Sequence, residues 1–217
     1  METIQTLTSR ALTAMQEPPT KDGQPNTKAW ADFLAFNTGA ADPEVERQLC
    51  LMVDSVARFV RGMKEKRRPH WLSLLGTSGA GKTYLAKKVY KWHSNSGLFD
   101  MGNFASGEEV IDARHWINWS EFAGLLQSNR GYGLMQDLIA TPFCVIDEVG
   151  ADRDPNGHVR DCLSRVLSAR TGKWTLITSN RSLRSISETI DQRISSRMIR
   201  DGSVVVDVTM PDYFVRK

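Results

Sequence analysis

The chain has 217 residues, 41% of them hydrophobic, enough for one domain with a buried core and too many for a disordered tail. Its 28 basic and 25 acidic residues leave a formal charge of +3, so bulk electrostatics do not announce a nucleic-acid partner and any basic surface must be local. No run of about 18 apolar residues predicts a membrane span, and Met1 to Pro19 lacks the basic start and apolar stretch of a signal peptide, so a cytoplasmic protein without membrane contact is expected.

Residues 1–43 are rich in Thr, Pro, Asp, Gly and Asn, and Glu17 to Asn26 holds three prolines, which bars a long regular element. They are expected to form an N-terminal extension, either a linker or a segment that docks a partner, ahead of a domain spanning 44–217. Asp42 and Pro43 then read as the cap and first position of a helix whose apolar residues, Val45, Leu49, Met52, Val53, Val56, Val60 and Met63, recur at helical spacing. The basic run Lys64 to Arg68 that follows is either a solvated turn or a place to touch phosphates. Cys50, Cys144 and Cys162 are too far apart for a zinc or disulfide pattern and are expected to be buried thiols.

From Trp71 onward, apolar runs (71–75, about 113–116, 143–146, 174–177 and 204–208) alternate with helical patterns (about 82–93, 120–127, 159–169 and 190–200). That alternation predicts an α/β fold, a parallel sheet with helices on both faces.

Gly76-Thr77-Ser78-Gly79-Ala80-Gly81-Lys82-Thr83 follows the first run and opens a helix at Tyr84, matching the full spacing of a phosphate-binding loop. The glycines let backbone N–H groups turn toward phosphate oxygens, Lys82 reaches the outer phosphates of ATP, and the Thr83 hydroxyl is a magnesium ligand. Phe143 to Ile146 ends in Asp147-Glu148. Asp147 is placed to hold the magnesium shell and Glu148 to polarise an attacking water, which points to hydrolysis. Asn180, at the end of the 174–177 run, comes near the γ-phosphate if that strand lies beside the loop strand; an Asn there is also a common turn former. Arg193 and Arg197 are one helical turn apart, so both can aim at one phosphate, in trans, from a neighbouring subunit of a homo-oligomer; surface ion pairs with Asp191, Glu188 and Asp201 are the alternative. Arg114 to Trp119, with Trp116 and Trp119, reads either as core packing or as a base-stacking surface.

These elements in this order, with Gly81 to Ala86, Ile146 to Gly150, Ile177 to Arg181 and the Arg193/Arg197 pair, resemble the AAA+ ATPases of the DnaC/DnaI helicase-loader and IstB-like family. Asp212 to Arg216 is a looser echo of that family's ending, and Arg170 matches an arginine often found before the sensor strand. The resemblance implies a three-layer P-loop AAA+ sandwich with little or no C-terminal lid. It further implies ATP hydrolysis with magnesium, self-assembly on single-stranded DNA, and delivery of a replicative helicase, or, in an IstB-like member, recruitment of a transposase. Asp147-Glu148 departs from the family's frequent Asp-Asp, and 43 residues are fewer than its loaders usually spend on helicase binding. A small-molecule P-loop kinase is the remaining reading of the loop, and it gives Arg197 no role.

Overall fold

The structure is a computed structural model, described here for residues 42–95, 114–128, 130–151, 154, 156–200 and 202–213. The first 41 residues and the closing Phe214 to Lys217 lie outside these, and with them nearly all of the expected N-terminal extension and most of the terminal motif.

Helix α1 (Pro43–Lys64) starts as its sequence dictates: Asp42 accepts the Glu44 N–H, and acids in the first turn and bases in the last complement the helix dipole. Strands β1 (Trp71–Gly76), β2 (Arg114–Asn118), β3 (Phe143–Asp147), β4 (Trp174–Thr178) and β5 (Val204–Val208) form one sheet in the order β2-β3-β4-β1-β5. Every pairing is parallel. Residues of β1 and β3 are buried on both faces, which is why they read as continuous apolar runs rather than alternating ones.

Each face carries its own helices. Leu72 and Leu74 of β1 and Phe143 and Val145 of β3 meet α1 and α2 (Lys82–Asn95); the alternate residues Trp71, Leu75, Cys144 and Ile146 meet the other layer. That second layer holds α3 (Trp119–Gln127), α4 (Tyr132–Ala140), α5 (His158–Ala169), α6 (Leu183–Thr189) and α7 (Gln192–Met198). The result is the expected three-layer α/β sandwich. All three cysteines are buried free thiols, and no helix of the described residues is long and apolar enough to cross a membrane.

Three details differ from the sequence expectation. Helix α4 was not predicted; it begins at Gly131 without a side-chain cap and carries Gly133, so its start has no sequence signal. The helix expected over 190–200 is shorter, Gln192–Met198 (α7), because Asp191 caps it by accepting the Arg193 N–H, and it follows a helix that was not predicted, α6, which Ile190 closes. The second strand runs two residues further, to Asn118. Of the two readings of Trp116 and Trp119, packing is the one that holds: Trp119 is fully buried in the core and Trp116 packs edge-on against Tyr90 at 5.6 Å.

One buried charge ties the layers. Arg170 has no exposed surface, and its guanidinium donates to the carbonyls of Leu138, Thr141 and Trp174 and to the Thr175 hydroxyl, joining the end of α4 to the start of β4. Burial lowers its pKa, yet the cation is satisfied by four neutral acceptors.

Candidate nucleotide site

The parallel sheet sends all five strand ends to one edge, and β4 lies directly between β1 and β3. The loop after β1, the acids ending β3 and the polar end of β4 therefore converge, the arrangement that builds ligand sites in open α/β sheets.

Gly76, Gly79 and Gly81 all take positive φ, at 107°, 68° and 94°. At Gly76 the reason is visible: a Cβ would lie 1.8 Å from the Val208 carbonyl oxygen of the adjacent strand. Helix α2 starts at Lys82 with no acid in its first turn, which leaves its positive N-terminal potential for an anion. Lys82 folds back over the loop, donating to the carbonyls of Gly76 (3.0 Å) and Thr77 (2.6 Å) and to Asn180 Oδ1 (3.0 Å). It is 5% exposed, and burial pulls its pKa below the lysine range against the opposing charges of Asp147, Asp207 and Glu148. Ala80 is buried, Ser78 is exposed, and Tyr84 is 43% exposed with the Lys88 ammonium 4.8 Å from its ring centre.

Thr83 donates to Asp147 Oδ1 at 2.9 Å, and Thr178 of β4 donates to the same oxygen at 2.5 Å. Asp147 is thus buried yet bonded twice. Thr83 and Asp147 supply hard oxygen ligands suited to a magnesium that arrives with phosphate and keeps much of its water. Among the described residues no three metal-binding side chains cluster.

Glu148 has φ 60°, rare for a residue with a side chain. Its N–H donates to the Thr178 hydroxyl (3.0 Å) and the Val149 N–H to the Thr178 carbonyl (2.9 Å), so β4 holds the turn. Asn118 donates from Nδ2 to Glu148 Oε2 at 2.8 Å, while its Oδ1 caps α3 by accepting the Glu121 N–H. Both ends of that amide are occupied, which fixes the position of one glutamate oxygen. Sequence reading missed Asn118 and Thr178. Their only signal is register, since Asn118 stands opposite Asp147 across the β2-β3 pair.

The two arginines diverge. Arg193 spends its fork on Asp191, at 2.8 Å, with Asp161 3.5 Å away, and Asp191 is held below the usual carboxylate range by that contact. Arg197 donates to the Arg193 carbonyl at 3.0 Å and, with Trp71, Ser168, Thr171 and Arg200, lines a cavity of about 290 Å³ into which no carboxylate of the described residues enters. Trp71 begins β1, whose far end carries the phosphate loop; six residues span about 17 Å, beyond the reach of an arginine side chain. Arg197 therefore does not serve its own chain's loop.

No family model and no curated protein sequence matches the chain. Among solved structures it is similar to DnaI (TM-score 0.51, 18% identity, 93% of this chain and 92% of that one) and to the DnaC helicase loader (0.50, 17%, 82% and 98%). It is also similar to the replication initiator DnaA bound to AMPPCP and single-stranded DNA (TM-score 0.54, 13% identity, 73% of this chain), whose length it spans by less than half, 46%. At these identities the likeness is one of architecture: the chain shares the fold of DnaI, DnaC and DnaA.

Proposed function

We propose that this protein is an ATP-dependent replication accessory protein that hydrolyses ATP with magnesium, assembles with copies of itself on single-stranded DNA and delivers a replicative helicase in the cytoplasm. The observation that carries the ATPase reading is the joining of Lys82 to Asn180 and of Thr83 to Asp147 across β1, β3 and β4. In this reading residues Gly76 to Tyr84 bind the nucleotide, and Asn180 and Lys82 face the γ-phosphate. Glu148 orients water, and Arg197 enters the site of the next subunit. Thr83 and Asp147 would hold magnesium, which when bound neutralises charge developing on the phosphates. Arg193 positions Asp191 at the start of α7 rather than touching phosphate.

The client rests on architecture and on names. The DnaC structure is described as a helicase loader and the DnaA structure as holding AMPPCP and single-stranded DNA. Residues 1–43 are the proposed docking segment. Glu148→Gln protein should bind ATP without consuming it and accumulate as an assembly. Captured from its native cell extract with ATP and magnesium, it should bring down a replicative helicase and retain single-stranded DNA over duplex. Recovery of a transposase, or a preference for duplex, would replace the loader reading with that of an IstB-like transposition helper.

A further inference from the structure

Residues 209–213, leaving β5, run across the outside of the phosphate loop and are fastened to it. Thr77 donates from its N–H to the Val208 carbonyl (3.0 Å) and from its hydroxyl to the Met210 carbonyl (2.5 Å), and Tyr213 N–H donates to the Gly79 carbonyl (3.0 Å). Helix α1 pins the same segment: Gln48 Oε1 accepts the Thr209 N–H at 2.8 Å and its Nε2 donates to the Thr209 hydroxyl at 3.3 Å. Met210, 1% exposed, plugs into the core between these ties.

This strap delivers a carboxylate to the loop. A Cβ built on Gly79 would lie 2.1 Å from Asp212 Cγ and 2.0 and 2.5 Å from its two oxygens. A carbon–carbon bond is about 1.5 Å, so Asp212 holds its carboxylate close to where an aspartate at position 79 itself would place one. Gly79 belongs to the stretch whose N–H groups form the anion cradle, and glycine is needed there both for its φ of 68° and for room beside Asp212.

We propose that Asp212 is a resident anion of the phosphate loop, which weakens triphosphate binding and speeds nucleotide release. The inference rests on the loop being a triphosphate site, and it adds a residue that opposes binding to those that promote it. Lys82 and the α2 N-terminus attract phosphate; Asp212, whose backbone the flanking ties at Met210 and Tyr213 hold beside the loop, repels it. The balance sets a loop that takes nucleotide and lets it go.

The test is stopped-flow binding of a fluorescent ATP analogue to full-length wild-type and Asp212→Asn protein, at low and high salt, with melting curves for both. Asparagine keeps the shape while removing the charge, exchanging one acceptor oxygen for an N–H donor. The variant should bind about three- to tenfold more tightly through slower release, as expected for one unit charge near a partly solvated phosphate. The gap should narrow at about 1 M salt. Equal or weaker binding by a variant that melts like wild type would overturn the proposal and make Asp212 a strap anchor only. Failure of wild-type protein to bind the analogue at all would remove the phosphate-loop reading, and this inference with it.

Discussion

Glu148 and Asn118 show how a single backbone angle and a single amide prepare a site. The left-handed turn at Glu148 is strained for a residue with a Cβ and persists because Thr178 holds it from both its hydroxyl and its carbonyl. Asn118→Asp keeps the helix cap but sets a second carboxylate against Glu148. The two carboxylates repel, which should displace Glu148 from the position the amide holds. Steady-state ATPase turnover should fall about tenfold with nucleotide affinity unchanged, and undiminished turnover would show that Asn118 does not position Glu148. At Lys82 burial disfavours the charged form, so in the free protein it titrates below an ordinary lysine. Triphosphate favours the ammonium and should move it back up, a shift readable by NMR of the Nζ group. Lys82→Ala should weaken ATP binding about a hundredfold, close to 3 kcal/mol.

At the scale of elements, legibility followed locality. The phosphate loop and the Asp147-Glu148 strand end were readable because their chemistry lies in a few contiguous residues. Asn118 and Thr178 were not, because their roles depend on the register of β2 and β4 against β3, which short apolar runs do not encode. Helix α4 escaped for lack of a cap, and the start of α7 was set at 190 rather than 192 because Asp191 reads as an ordinary helical surface residue until its carboxylate is seen to accept the Arg193 N–H. The buried Arg170 was visible only as a resemblance, whereas the structure gives it a physical task. Arg170→Leu would leave the Leu138, Thr141 and Trp174 carbonyls without their donor in a dry interior. Thermal unfolding should show a loss of about 3 kcal/mol, which for a chain this size lowers the melting temperature by about 6–12 °C.

For the molecule as a whole, the near-neutral charge said little, but strand order says a good deal. Placing β4 between β1 and β3 puts sensor, loop and acids on one edge of the sheet, while α7 ends beside Trp71 at the other. The phosphate loop and the Arg197 cavity lie at opposite ends of β1, so in the proposed assembly copies stacked head to tail would bring one to the other. Asp212 would then act within each subunit and Arg197 between subunits, so their effects should separate: the first on nucleotide release, the second on turnover.

Mixing two inactive variants tests the shared site most directly. Lys82→Ala protein lacks a working loop but keeps Arg197; Arg197→Ala protein keeps its loop but lacks the arginine. Each alone should hydrolyse ATP far more slowly than wild type. Mixed in equal amounts, random assembly joins an intact loop to an intact arginine at about a quarter of interfaces, and ATPase activity should return to about that fraction of wild type. No recovery on mixing, or undiminished turnover by Arg197→Ala alone, would contradict a site completed by the neighbouring subunit.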